Sequence, residues 1–203
     1  MLFSSSVSVA SAPSIYMLNS SSRGPAVKQL QRNLNARLEQ LGMLSHISVE
    51  IDGIFDSDTL LAVKYLQSAS GLPVNGRVCE STRRFIERGF PALRTLKLGS
   101  TGTQVRAVQR TLNAAQIEVV ADSHFGEFTE LGVKRYQQSL NLADSGVVDT
   151  PTWENIVRSR LKSVPCIALL PNPYSIGQLV GFREVAKEAT EHSTKEAATN
   201  GKL

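Results

Sequence analysis

The chain has 203 residues, of which 41% are hydrophobic and 20% charged, with a mean hydropathy of −0.10. That composition suits a soluble globular protein of one mid-sized or two small domains, and no apolar run approaches the roughly 18 residues of a membrane-spanning helix. A net charge of +4 without any Lys/Arg run argues against a dedicated nucleic-acid binder, and two cysteines, Cys79 and Cys166, make neither a disulfide framework nor a zinc finger. In chain order, residues 1–16 are Ser-rich and lack Lys, Arg, Asp and Glu, and they are expected to form a disordered leader. Ala10-Ser11-Ala12 has the small-residue form of an export cleavage site, but no basic start or unbroken apolar segment precedes it. The compartment therefore stays open.

An internal repeat dominates the rest. VKQLQRNLNA (Val27 to Ala36) returns as VRAVQRTLNA (Val105 to Ala114), 78 residues on. Asp52, Phe55, Thr59, Leu61, Val63, Lys64 and Gln67 return as Asp122, Phe125, Thr129, Leu131, Val133, Lys134 and Gln137, 70 residues on. The change of offset places eight extra residues in copy one, around Glu39 to Glu50.

Each copy reads as three helices. In copy one (17–90), Gly24-Pro25 starts a helix whose Val27, Leu30, Leu34, Leu38 and Leu41 share one face, with Gly42 as its stop. Asp52-Gly53 makes a turn, Asp56 or Ser57 caps a second helix carrying Leu60, Val63 and Leu66, and a short third helix runs from about Ser81 to Arg88. In copy two (94–162), Gly102 opens a helix with Val105, Val108 and Leu112 inside. The second helix follows Phe125 and carries Val133 and Tyr136, and Thr150-Pro151 starts the third, with Trp153 and Ile156 for the core. Residues 163–203 form a partly helical extension, with Ser175 to Gln178 as a capping box. The fold class expected is all-α: two tandem three-helix bundles joined by a short linker that restricts their orientation.

At these residues the sequence resembles the peptidoglycan-binding domains of the PGBD type 1 family, which carry Val-x-x-Leu-Gln-x-x-Leu, Asp-Gly-x-Phe-Gly-x-x-Thr, Ala-Val-x-x-Phe-Gln, Gly-Leu, and a Gly-x-Val turn before Thr-Trp. Copy one has Val27-x-x-Leu30-Gln31-x-x-Leu34, Asp52-Gly53-Ile54-Phe55, Thr59, Ala62-Val63, Leu66-Gln67, Gly71-Leu72, Gly76-Arg77-Val78 and Thr82. Copy two has Val105-x-x-Val108-Gln109-x-x-Leu112, Asp122, Phe125-Gly126, Thr129, Val133, Tyr136-Gln137, Gly146-Val147-Val148 and Thr152-Trp153. Asp56, Arg83, Ser123 and Gly132 depart from the pattern, and Cys79 and Asp149 replace a turn glycine.

The resemblance implies peptidoglycan or muropeptides as partner, a cell-envelope location, and attachment to or targeting of a cell-wall hydrolase. Stem-peptide amides and sugar hydroxyls need amide-type hydrogen bonders, carboxylates need a cation, and an aromatic face stacks on apolar parts. On that logic the ligand-binding candidates are Gln31, Arg32, Asp52, Tyr65 and Gln67 in copy one, and Gln109, Arg110, Asp122, Tyr136 and Gln137 in copy two. The residues alone favour plainer roles, with the glutamines tying helix to loop and Asp52 and Asp122 satisfying backbone N–H groups of a turn.

Catalysis finds no support. His46, His124 and His192 lie far apart, and there is no H-E-x-x-H, Gly-x-Ser-x-Gly, P-loop or G-x-G-x-x-G. Cys79 and Cys166 read as packed thiols, and no metal or cofactor is expected. The leading expectation is a non-catalytic peptidoglycan-binding module with no nucleic-acid partner and no membrane span. An intracellular protein-interaction scaffold on the same fold is the alternative, and a hydrolase comes third.

Overall fold

A computed structural model describes residues 17–43 and 47–163. The expectations for the leader, for Cys166 and for the capping box at Ser175 lie outside these residues. The described residues hold six α-helices and no strand: α1 (Pro25–Gln40), α2 (Ser57–Ala69), α3 (Glu80–Arg88), α4 (Thr103–Ala114), α5 (Glu127–Ser139) and α6 (Thr150–Ser163), with a short 3-10 turn at Phe90–Ala92. The all-α fold expected from the repeat is the one observed.

Local chemistry explains the helix starts. Pro25 and Pro151 stand in the first turns of α1 and α6, where a missing N–H costs nothing. The Asp56 carboxylate accepts from Thr59 N at 2.9 Å and caps α2. Cys79 occupies the position before α3, half-exposed, but its side chain makes no bond to the helix backbone; its Sγ lies 3.3 Å from Ser81 Oγ and 3.4 Å from Thr82 Oγ1. It is thus not the packed thiol expected. Asp149 holds the same place before α6, accepting from Thr152 N at 3.1 Å.

Four helices end alike. The residue two past the end of α1, α2, α4 and α5 adopts positive φ: Gly42 (71°), Gly71 (68°), Gln116 (63°) and Asn141 (55°). The following N–H bonds back to a carbonyl five residues earlier, Met43 to Leu38, Leu72 to Gln67, Ile117 to Leu112 and Leu142 to Gln137, at 2.8 to 2.9 Å. Glycine serves at two of these ends, while copy two holds the strained conformation with side chains.

The repeat is visible in three dimensions. Isolated antiparallel bridges pair Leu18 with Val78 and Arg23 with Ile54 in copy one, and Leu96 with Val148 and Thr101 with His124 in copy two. The copies differ at the end of the first helix. α1 is 16 residues and α4 is 12, so the extra residues add a helical turn, with Arg37, Leu38 and Leu41 buried, before the chain rejoins the common path at Ile47 and Ile117.

Each copy buries its own core. Val27, Leu34, Phe55, Val63, Leu66 and Phe85 fill one, and Val105, Leu112, Phe125, Val133, Trp153 and Ile156 the other. Side chains of this size contribute roughly 1.5–3 kcal/mol each on full burial. The linker also joins copy two's core, since Trp153 Nε1 donates to Arg94 O at 2.8 Å.

The six helices lie in one compact unit, because α2 packs on α6 across the two copies. Tyr65 Oη donates to Leu161 O at 2.8 Å. The Arg160 guanidinium donates to Ser68 O, Ala69 O and Ala107 O at 2.8 to 3.2 Å, crossing from α6 to the end of α2 and to α4. Gly71 comes so close that a Cβ there would stand 2.6 Å from Ala107 Cβ and 3.1 Å from Gln104 Cα.

Candidate binding surface

Four buried glutamines each tie a helix to one turn of their copy. Gln31, on the inner face of α1, donates from Nε2 to Asp52 Oδ1 (2.8 Å), Ile54 O (3.0 Å) and Thr59 Oγ1 (3.4 Å), while its Oε1 accepts from Gly53 N (2.8 Å). Gln109 repeats this with Asp122 Oδ1 (2.8 Å), His124 O (2.9 Å), Thr129 Oγ1 (3.2 Å) and Ser123 N (3.0 Å).

The second turn of each copy is held in the same way. Gln67 bonds to Arg77 O (2.9 Å), Thr82 Oγ1 (3.2 Å) and Gly76 N (2.9 Å), and Gln137 to Val147 O (2.8 Å), Thr152 Oγ1 (3.0 Å) and Gly146 N (3.0 Å). In each case one amide ties a helix to a positive-φ turn and to the threonine that starts the next helix. The amide needs both its donor and its acceptor faces for this, which restricts the position to glutamine or a close mimic.

This arrangement decides where the sequence-derived candidates stand. Gln31, Gln67, Gln109 and Gln137 are no more than 1% exposed, and their carboxamides are spent inside the fold. Tyr65 is buried in the seam between copies. Tyr136 is buried within copy two, where burial raises its phenol pKa and the Ser159 hydroxyl bonds to it. For none of the six is the side chain presented to solvent.

Asp52 and Asp122 stand at the surface, each in its turn. Asp52 Oδ1 accepts from Ile54 N and Asp122 Oδ1 from His124 N, both at 2.8 Å. These backbone N–H bonds, then the glutamine amides, hold both carboxyls below the usual carboxylate range. His124 Nδ1 lies 3.2 Å from Asp122 O in the same turn.

Arg32 and Arg110 are exposed on the outer faces of α1 and α4. The structure adds a partner for each that residue chemistry alone did not single out. Lys28, one turn before Arg32, lies beside Asp52, its Cγ 3.0 Å from where a Cβ of Gly53 would sit. Arg106, one turn before Arg110, donates from Nε to Ser123 Oγ at 2.8 Å. The i, i+4 spacing of the two cations, repeated in both copies, is the signal by which the sequence could have shown them. Each copy therefore presents two cations one turn apart beside a carboxylate turn that is held from beneath by glutamine. Such a surface can bind carboxylates through its cations, and amides or hydroxyls through its turn carboxylate.

Among the described residues, no three His, Cys, Asp or Glu side chains converge as a metal site, and no helix is long and apolar enough to cross a membrane. The chain matches the family described as "Putative peptidoglycan binding domain" at residues 23–86 and again at 101–156, more than half of its length. No curated protein and no solved structure matches it.

Proposed function

The chain belongs to the peptidoglycan-binding domain family, and from that premise we propose that it adheres to peptidoglycan through both copies without acting on it chemically. The observation that carries this reading is the duplication of the surface set itself. Lys28, Arg32 and the Asp52 turn in copy one reappear as Arg106, Arg110 and the Asp122 turn in copy two. Selection for folding alone explains the buried glutamines, whereas the exposed cations contribute little to stability. Two weak sites on one polymer gain avidity through effective concentration, and the seam holds them in a fixed relation.

Retention of the purified full chain on sacculi tests the proposal. We expect retention at moderate salt that weakens as salt rises, because solvent-exposed charges are screened. Arg32→Ala with Arg110→Ala should lower retention about tenfold while leaving the circular dichroism spectrum intact. No retention by a folded chain rejects the proposal, and release of soluble muropeptides by the pure protein rejects its non-catalytic part.

A protein partner is a second reading, favoured by Phe128 (84% exposed) and Leu131 (47%) on α5 and by Val120 (75%). A cell-wall hydrolase delivered to its substrate would join the two readings, and an intracellular scaffold would separate them. An export reporter fused after Ala12 distinguishes these, since translocation supports the envelope location and its failure supports the scaffold.

A further inference from the structure

The extra turn of α1, which α4 lacks, contributes to a cleft in copy one. A half-open cleft of about 210 Å³ lies between α1 and α3, lined by Asn33, Ala36, Arg37, Gln40, Ile86 and Glu87. Arg37 and Gln40 belong to the added turn, and copy two has Ala115 in the place of Arg37, just past the end of α4.

Arg37 is the unusual member. It is only 8% exposed, yet no carboxylate of the described residues pairs with it. Its Nε donates to Ile86 O at 3.2 Å, and its Nη1 bonds to Gln40 Oε1. Nη2 makes no hydrogen bond among the described residues. Every fully buried side-chain polar atom there has a partner, so Nη2 is accessible.

The guanidinium owes its place to Gly89, where a Cβ would stand 2.5 Å from Nη1 and 2.9 Å from Cζ. Burial lowers the pKa of Arg37, the direction expected of a cation held away from water without a counter-charge. The one acid lining the cleft, Glu87, is engaged by Arg83 Nη1 at 2.7 Å.

A buried cation with a donor still to give, amide groups at Asn33 and Gln40, and an apolar contribution from Ala36 and Ile86 form a complementary set for one kind of group. We propose that the α1/α3 cleft of copy one is a seat for the terminal carboxylate of a short peptide, with Arg37 as its counter-charge. The volume lies below the usual range for drug-sized ligands of about 300–1,000 Å³, so it admits one terminal residue rather than a folded partner. The inference is independent of the polymer surface described above. It predicts a recognition element in copy one alone.

Titration of the full chain with N-acetyl-alanyl-alanine, in the L,L and D,D forms, tests this by NMR observation of the arginine Nε–Hε signals. The free acid should shift the Arg37 signal saturably, and the C-terminal amide should bind at least tenfold more weakly, the loss expected of one charge-assisted contact. Ala36→Phe fills the cleft from an exposed helix position with Arg37 untouched, and should abolish binding. Arg37→Gln should weaken it about tenfold wherever the variant folds. Equal binding of acid and amide, binding unaffected by Ala36→Phe, or no saturable shift at millimolar peptide each overturns the proposal. Sacculus retention that survives Ala36→Phe leaves the polymer surface standing.

Discussion

Gly71→Ala isolates the contact that joins the two copies, and Gly42→Ala provides its control. Both glycines follow a helix end with nearly the same φ, +68° and +71°, and both carry the same pair of returning hydrogen bonds. An alanine at either position bears the cost of a left-handed conformation, roughly 1–2 kcal/mol. Beyond that the two differ in space alone. Nothing lies within 4 Å of a Cβ at Gly42, whereas at Gly71 the new methyl meets Ala107 Cβ at 2.6 Å and the backbone of Gln104 at 3.1 Å. Two methyl carbons settle at about 3.5–4.0 Å, so helices α2 and α4 must part by about an ångström. Overpacking of that kind costs about 1–3 kcal/mol. The expected totals are about 1–2 kcal/mol for Gly42→Ala and about 2–5 kcal/mol for Gly71→Ala. Urea unfolding followed by circular dichroism measures both. Equal losses of stability would refute the seam as a close-packed interface.

Two further predictions follow from the turns and caps. Asp52 and Asp122 have depressed carboxyl pKa values when folded, so the stability they contribute is present above their unfolded pKa of about 3.9 and is lost as pH falls through the folded values. The double variant Asp52→Asn/Asp122→Asn should flatten the acid limb of the unfolding midpoint below about pH 4; an unchanged limb would show that the two carboxylates are not responsible. Cys79→Asp installs at α3 the cap that Asp149 supplies to α6, and should raise stability by about 0.5–2 kcal/mol in the same urea assay. A neutral or negative result would mean that the Sγ contacts with Ser81 and Thr82 already do the work of a cap.

Much of this was legible in the residues because it is local or repeated. The 78- and 70-residue offsets placed all six helices, and Gln31, Gln67, Gln109 and Gln137 could be read as ties between helix and loop because each recurs with its turn and its threonine. The eight-residue difference was assigned around Glu39 to Glu50, and the added turn of α1 begins just before that stretch, at Arg37; Leu38, Leu41 and Gly42 had already marked the longer helix.

The fate of Tyr65 was not legible. Its counterpart 70 residues on is the exposed Arg135, so the repeat carries no sign that Tyr65 is buried. Only the packing of α2 on α6 buries it. Arg37 escaped notice for a related reason: its place in copy two is taken by an alanine, and a single arginine in a helix reads as solvated. Cys79 was mistaken for a packed thiol because its role depends on where α3 begins, a boundary that composition does not fix.

The burial of the single tryptophan has a practical consequence. Trp153 is 1% exposed, and its indole N–H is held by Arg94 O in the linker. Its emission thus senses the second copy and the connecting segment directly, and the first copy only through the seam. Fluorescence and helical ellipticity should therefore change together during denaturation if the seam unites the copies into one cooperative block. A lag between the two signals would place the independent melting event in the half that carries no indole.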